Sequence, residues 1–142
     1  MAYQQNSVHA YRQTRIKTAS QGRLIVMLYD EALRQIDDAA KLLDTGTKQL
    51  DLVNNAVVKA QDIVTELMVA LDMEQGGEIA HNLFRLYMFF NDRLMEGNIQ
   101  KDVAPLREVR GLMGNLRDAW KEIENTAAGA QTPMSGGINI AG

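Results

Sequence analysis

Glu78 and His81 stand three residues apart, which on a helix would place a carboxylate and an imidazole on one face. That Glu-x-x-His spacing is part of a di-iron ligand set, which needs a second such pair and two more inward carboxylates. The only other histidine is His9, so the second pair is missing. Glu78 suits the positive end of a helix, and His81 a surface or cap position. With no cysteine, disulfides, thiolate-bound zinc and a thiol nucleophile are all excluded. There is no Gly-x-Ser-x-Gly elbow and no Gly-rich loop ending in Lys-Ser or Lys-Thr. Gly76-Gly77 could receive an anion ahead of a helix, but such a pair more commonly positions the helix that follows. Asp30-Glu31 and Asp37-Asp38, interleaved with Arg34 and Lys41, read as a solvated helix face with local ion pairs such as Asp37 with Lys41. No catalytic constellation emerges. The expectation is a protein that is not an enzyme and uses no cofactor and no metal.

The elements behind these residues are helical. The chain of 142 residues suits one domain, and 46% apolar with 23% charged residues is ordinary globular composition. A net charge of −3 gives no basic field for nucleic acid. The polar N-terminus lacks the apolar core of a secretory signal, and no apolar run approaches the roughly 20 residues that span a bilayer. A cytoplasmic protein without membrane insertion is expected.

Four helical patterns follow one another. The first starts at Ser20 as N-cap and carries Leu28, Ala32, Ile36, Ala39 and Leu43 up to Gly46. The second runs from about Gln49 with Leu52, Ala56, Ala60, Ile63, Leu67 and Leu71. The third, from about Glu78 to Met95, turns Ile79, Leu83, Leu86, Tyr87, Phe90 and Leu94 one way and ends at Gly97-Asn98. The fourth begins with Asp102 as N-cap and Pro105 in its first turn. Its seam of Leu106, Val109, Met113, Leu116, Trp120 and Ile123 repeats at alternating steps of three and four, as in near-antiparallel packing. Short connections between long helices predict an all-α, antiparallel four-helix bundle over residues 18–126. Residues 1–17 are expected to form a mobile N-terminal segment and 127–142, Gly-rich and patternless, a disordered tail.

The third helix has more apolar surface than one core contact uses, because Phe84, Met88, Phe89 and Met95 lie outside its stripe. Methionine, present eight times, suits surfaces that re-pack around another apolar chain, although most of these residues can equally fill the core. The pattern points to a binding module without naming the ligand.

The run Thr18-Ala19-Ser20-Gln21-Gly22-Arg23-Leu24-Ile25-Val26-Met27-Leu28-Tyr29-Asp30-Glu31-Ala32-Leu33 resembles the first-helix signature of the flagellin-specific export chaperone family, FliS. Leu71-Asp72 followed by Gly76-Gly77-Glu78-Ile79-Ala80, Asn82-Leu83 and Leu86-Tyr87 is a second match, and Leu116-Arg117-Asp118-Ala119-Trp120 a third. Tyr11, upstream of the signature, also fits, and the resemblance spans about residues 8–124. Gln21 stands where the family has proline, and Glu31 where it has glycine. The first change removes a preformed φ angle; the second adds a charge to helix one.

The resemblance implies one-to-one binding of the disordered C-terminal segment of flagellin in the cytosol. It also implies that premature polymerisation is blocked and that the client reaches the flagellar type III export apparatus, with an export-gate component as a further partner. In such chaperones the client wraps around the bundle and becomes helical in apolar grooves. Ile25, Leu28 and Tyr29 on helix one, and Asn82, Leu86, Tyr87 and Phe90 on helix three, are then the candidate client contacts, each with a competing role within the bundle. Tyr11 and Ile16 are expected to fold over a groove when no client is bound. The competing readings are a bundle with another client, such as an anti-sigma factor, and a self-associating structural bundle.

Overall fold

The computed structural model describes residues 21–126. Four helices account for most of them: α1 (Gln21–Asp44), α2 (Leu50–Val69), α3 (Gly77–Gln100) and α4 (Val103–Thr126). Each helix packs on the two beside it in a closed ring, α1–α2–α3–α4 and back to α1. Thus α1 stands diagonally opposite α3, and α2 opposite α4.

Cross-helix pairs fix the directions. Along the α1–α4 seam, Asp30 meets Arg117, Asp37 meets Arg110 and Asp44 meets Arg107, so one number rises as the other falls. The same inversion relates Asn54 to Asn98 and Gln61 to Asn91 between α2 and α3. Arg93 with Glu108 joins α3 to the start of α4. The four-helix bundle expected from the periodicity is what forms, and it is antiparallel.

Tyr29, Ile36, Val53, Val57, Leu67, Tyr87, Phe90, Leu94, Leu106 and Met113 fill the interior and are fully buried. Burying a side chain of this kind contributes roughly 1.5–3 kcal/mol against the entropy of ordering it. The buried faces repeat at three and four residues because that is the interval at which a helix returns to the same side.

The helix ends show which local signals held. Asp102 caps α4: its Oδ1 accepts the Ala104 N–H at 3.0 Å. Gly46, at φ 70°, follows the end of α1 as expected of a residue that must turn left-handed. The expected N-cap Ser20 lies outside the described residues.

Gly97 overturns the expected end of the third helix, because α3 continues through Gly97-Asn98 to Gln100. A Cβ on Gly97 would lie 2.9 Å from Leu106 Cδ2 and 3.1 Å from the Asp102 carbonyl oxygen. This glycine is present so that α3 and α4 can approach closely. Lys101 takes the left-handed end position instead, at φ 52°, with its ammonium on the Asn98 carbonyl at 2.6 Å and side-chain oxygen at 2.8 Å.

The core stripes also shift in places. Leu52, Ile79 and Ile123 are exposed, whereas Val53, Val57 and Val64 are buried. The α2 stripe is thus turned by one residue at its start, since runs such as Leu52-Val53 fit either phase. Asp37 pairs with Arg110 of α4 at 3.0 Å, not with Lys41, because facing α4 it meets a bidentate guanidinium.

Candidate functional site

Among the described residues, three aromatic side chains form a polar assembly in the bundle interior. The Tyr29 and Tyr87 hydroxyls, from diagonal helices, lie 2.6 Å apart, and the Trp120 indole N–H donates to the Tyr29 oxygen at 3.3 Å. Burial pushes the Tyr29 phenol up to about 12 despite its bonds to Tyr87 and Trp120, and burial together with the neighbouring Tyr29 pushes the Tyr87 phenol well above its ordinary value. Both therefore stay neutral, so one hydroxyl can donate to the other. The Tyr87 ring also contacts Phe90 at 6.3 Å between centroids, and Phe90 contacts Phe89 at 6.2 Å. This chain of rings runs from the core to the surface of α3.

At that surface α3 has two apolar flanks. Toward α4, Arg93 pairs with Glu108 at 2.6 Å. Phe89 lies one turn before Arg93 on the same side of α3, and Leu112 one turn after Glu108 on the same side of α4. The antiparallel register sets them beside each other, 38% and 39% exposed. A turn further along, Leu86 and Leu116 sit half-buried against the core. Beyond them Ile79 and Ile123 are exposed at the bundle end. The result is a partly exposed apolar strip along the α3–α4 seam.

Toward α2, neutral polar groups tie the seam. Asn98 Nδ2 donates to Asn54 Oδ1 at 2.8 Å, Gln61 Nε2 to the Asn91 carbonyl at 3.2 Å, and Asn91 Nδ2 to Thr65 Oγ1 at 3.2 Å. Met88, Met95 and Ile99 follow along the outer edge of this seam at steps of seven and four, all exposed. Thioether side chains on such an edge adapt to the shape of an incoming chain.

The other edge of α4 is unlike either flank. Its arginines bind carboxylates of α1: Arg117 with Asp30 at 2.7 Å, Arg110 with Asp37 at 3.0 Å, and Arg107 with Asp44. Nearby, Glu31 accepts from Arg34 at 2.6 Å and from Gln35 at 2.9 Å. Although partial burial disfavours its charge, these partners outweigh that and hold its carboxyl below the usual range.

The candidate residues fall into three groups. Ile25, Leu28, Tyr29, Tyr87 and Phe90 are core residues, buried among all four helices and lining no open groove in this structure. Leu86 is half-buried on the α3–α4 flank, and Asn82 is exposed one turn away, with its side-chain oxygen accepting from Arg85. Tyr11 and Ile16 lie outside the described residues. Sequence reasoning placed Ile79, Leu116 and Ile123 in the core, singled out Met88, Phe89 and Met95 as surplus on α3, and passed over Leu112 and Ile99 as surface candidates. Leu112 could have been found, because it is an apolar residue outside the heptad-like seam of α4.

No group of three or more metal-binding side chains converges among the described residues. His81 Nδ1 lies 2.8 Å from the Gly77 carbonyl, within its own first turn. No described helix is long and apolar enough to cross a membrane. The arrangement can take up apolar chain along α3.

Comparisons with known proteins agree on one family. The family described as flagellar protein FliS matches residues 4–127. The flagellar secretion chaperone FliS of Salmonella typhimurium is 36% identical over 133 residues, covering 89% of this chain and 96% of the relative. The FliS chaperone of Bacillus subtilis is 34% identical, covering 83% of this chain and 86% of its own. That of Escherichia coli is 34% identical, covering 84% and 90%.

Proposed function

The chain belongs to the flagellar protein FliS family, whose relatives are secretion chaperones and not enzymes, and from that premise we propose that it holds the disordered C-terminal segment of flagellin. Binding is one-to-one and takes place in the cytosol. It keeps flagellin from polymerising early and presents it to the flagellar type III export apparatus, where a gate component is the second partner.

The observation that carries this reading is the pair of apolar flanks on α3. A disordered segment gains enough to fold only where apolar anchors at helical spacing find an apolar surface. The α3–α4 flank offers Phe89 and Leu112 beside the Arg93–Glu108 pair, and Leu86 with Leu116 one turn on. Asn82, exposed at the same flank, is proposed to bond to client backbone. Ile25, Leu28, Tyr29, Tyr87 and Phe90 act from below, as the rigid floor on which the strip rests. Tyr11 and Ile16 are proposed to compete with the client for a groove, on the family resemblance alone.

Calorimetric titration with a peptide of about the last 40 residues of the host's flagellin, a length sized to wrap a domain, tests the assignment. Saturable one-to-one binding with a negative heat-capacity change is expected, since apolar surface leaves water. No binding by demonstrably folded protein would discard flagellin as the client.

A further inference from the structure

On the side of the ring opposite the α3–α4 strip, α1 and α2 border a cleft of about 530 Å³. It is lined from Gln35 to Leu42 on α1, by Thr45 just past its end, and from Leu52 to Lys59 on α2. Ten residues of helix rise about 15 Å, so the cleft is an elongated trough rather than a pit for one small molecule.

Three features describe what would fill it. The floor is aliphatic, from Leu42, Ala56 and Leu52, and Leu52 is 41% exposed to solvent within it. The rim carries Lys41 and Lys59, which make no ion pair among the described residues. Of the carboxylates, Asp38 lines the cleft and faces Arg34 at 3.5 Å, while Glu31 is held by Arg34 and Gln35 and is attracted by Lys59. The trough is therefore locally positive on a chain whose net charge is −3. Finally, Gln35 is only 7% exposed, and its amide nitrogen donates to Glu31 at 2.9 Å. Its amide oxygen, with no donor among the described residues, can accept from a group entering the trough.

We propose that this α1–α2 trough is a second docking surface, for an amphipathic helical segment of another protein with aliphatic anchors flanked by carboxylates. The aliphatic anchors cover Leu42 and Leu52, and the carboxylates meet Lys41 and Lys59. Because the trough lies across the ring from the α3–α4 flank, such a partner binds without displacing client held on that flank.

The test uses the full-length chain without client, so it stands apart from the flagellin assignment. The probe is a synthetic helical peptide with leucines at i, i+4 and i+7 and glutamates beside them. Its control has lysine at each glutamate position, and a short alkyl carboxylate serves as a third ligand. NMR titration is expected to give saturable shifts at Gln35, Leu42, Leu52 and Asn55. The lysine peptide should bind about tenfold more weakly, and the double variant K41E/K59E should invert that preference. Shifts centred on Phe89 and Leu112, equal affinity for both peptides, or no saturation would each overturn the proposal. Binding of the alkyl carboxylate at the same residues as tightly as the peptide would also overturn it, by showing a small-anion pocket.

Discussion

Helix α4 has two edges, and they are finished differently. On one, Arg107, Arg110 and Arg117 meet Asp44, Asp37 and Asp30 of α1, so every charge in the row has a partner inside the chain. On the other, Leu112, Leu116 and Ile123 border Phe89, Leu86 and Ile79 of α3, and much of that surface still faces water. Exposed ion pairs stabilise a fold only slightly, but they leave little apolar surface for another molecule to cover. An apolar strip is incomplete, because the surface in it gains by leaving water whenever a second chain arrives. The difference teaches that the same helix can serve as wall on one side and as binding surface on the other.

The largest test breaks the second edge from below. In Gly97→Val the new side chain meets Leu106 and the Asp102 carbonyl, so α3 and α4 must separate. A loss of about 3 kcal/mol in urea-unfolding free energy is expected, with client binding weakened as well. Phe89→Asp should separate the two properties. Peptide affinity should fall about 30-fold, as for a central anchor, while unfolding free energy stays within about 0.5 kcal/mol. A Phe89→Asp variant with unchanged affinity would remove the α3–α4 edge from the binding surface.

Tyr87→Phe comes next and touches the floor under both edges. The Tyr29 hydroxyl then keeps its Trp120 donor but loses the Tyr87 hydroxyl as a hydrogen-bond partner, costing about 1 kcal/mol. The same assembly sets an alkaline limit. Unfolded tyrosine ionises near pH 10, whereas Tyr29 holds its proton to about 12. Stability that is complete below pH 10 should therefore decline as pH rises through 10 toward 12, because the unfolded state releases protons first. Tyrosinate absorbance followed together with helical circular dichroism checks this: ionisation of the two buried phenols should coincide with unfolding.

The smallest effect belongs to the charged edge. Asp37→Asn should cost less than about 0.5 kcal/mol, and the cost should shrink further as salt is added. Peptide affinity should be unaltered. A large loss of binding in Asp37→Asn would contradict the division between the edges.

Much of this was legible in the residues. The helices, the Asp102 cap and the inward positions of Ile36, Leu94, Met113 and Trp120 follow from periodicity, which depends only on helical geometry. The surplus on α3 was visible too, in Phe89, Met88 and Met95. Less was legible where one signal has two uses. Glycine ends helices and also lets them touch, and Gly97 does the second. Asp37 has Lys41 one turn away and Arg110 across a seam, and sequence spacing ranks only the local partner.

The amino-acid sequence by itself determined four amphipathic helices, the absence of thiol chemistry and a family motif strong enough to suggest a client. Those properties reside in single residues and in intervals along one helix. Which edges close with charge, which stay apolar, and that Ile25, Leu28, Tyr29, Tyr87 and Phe90 lie in the core depend on helix neighbours and register. Only the tertiary structure decided them, because burial is a property of the partners that surround a side chain.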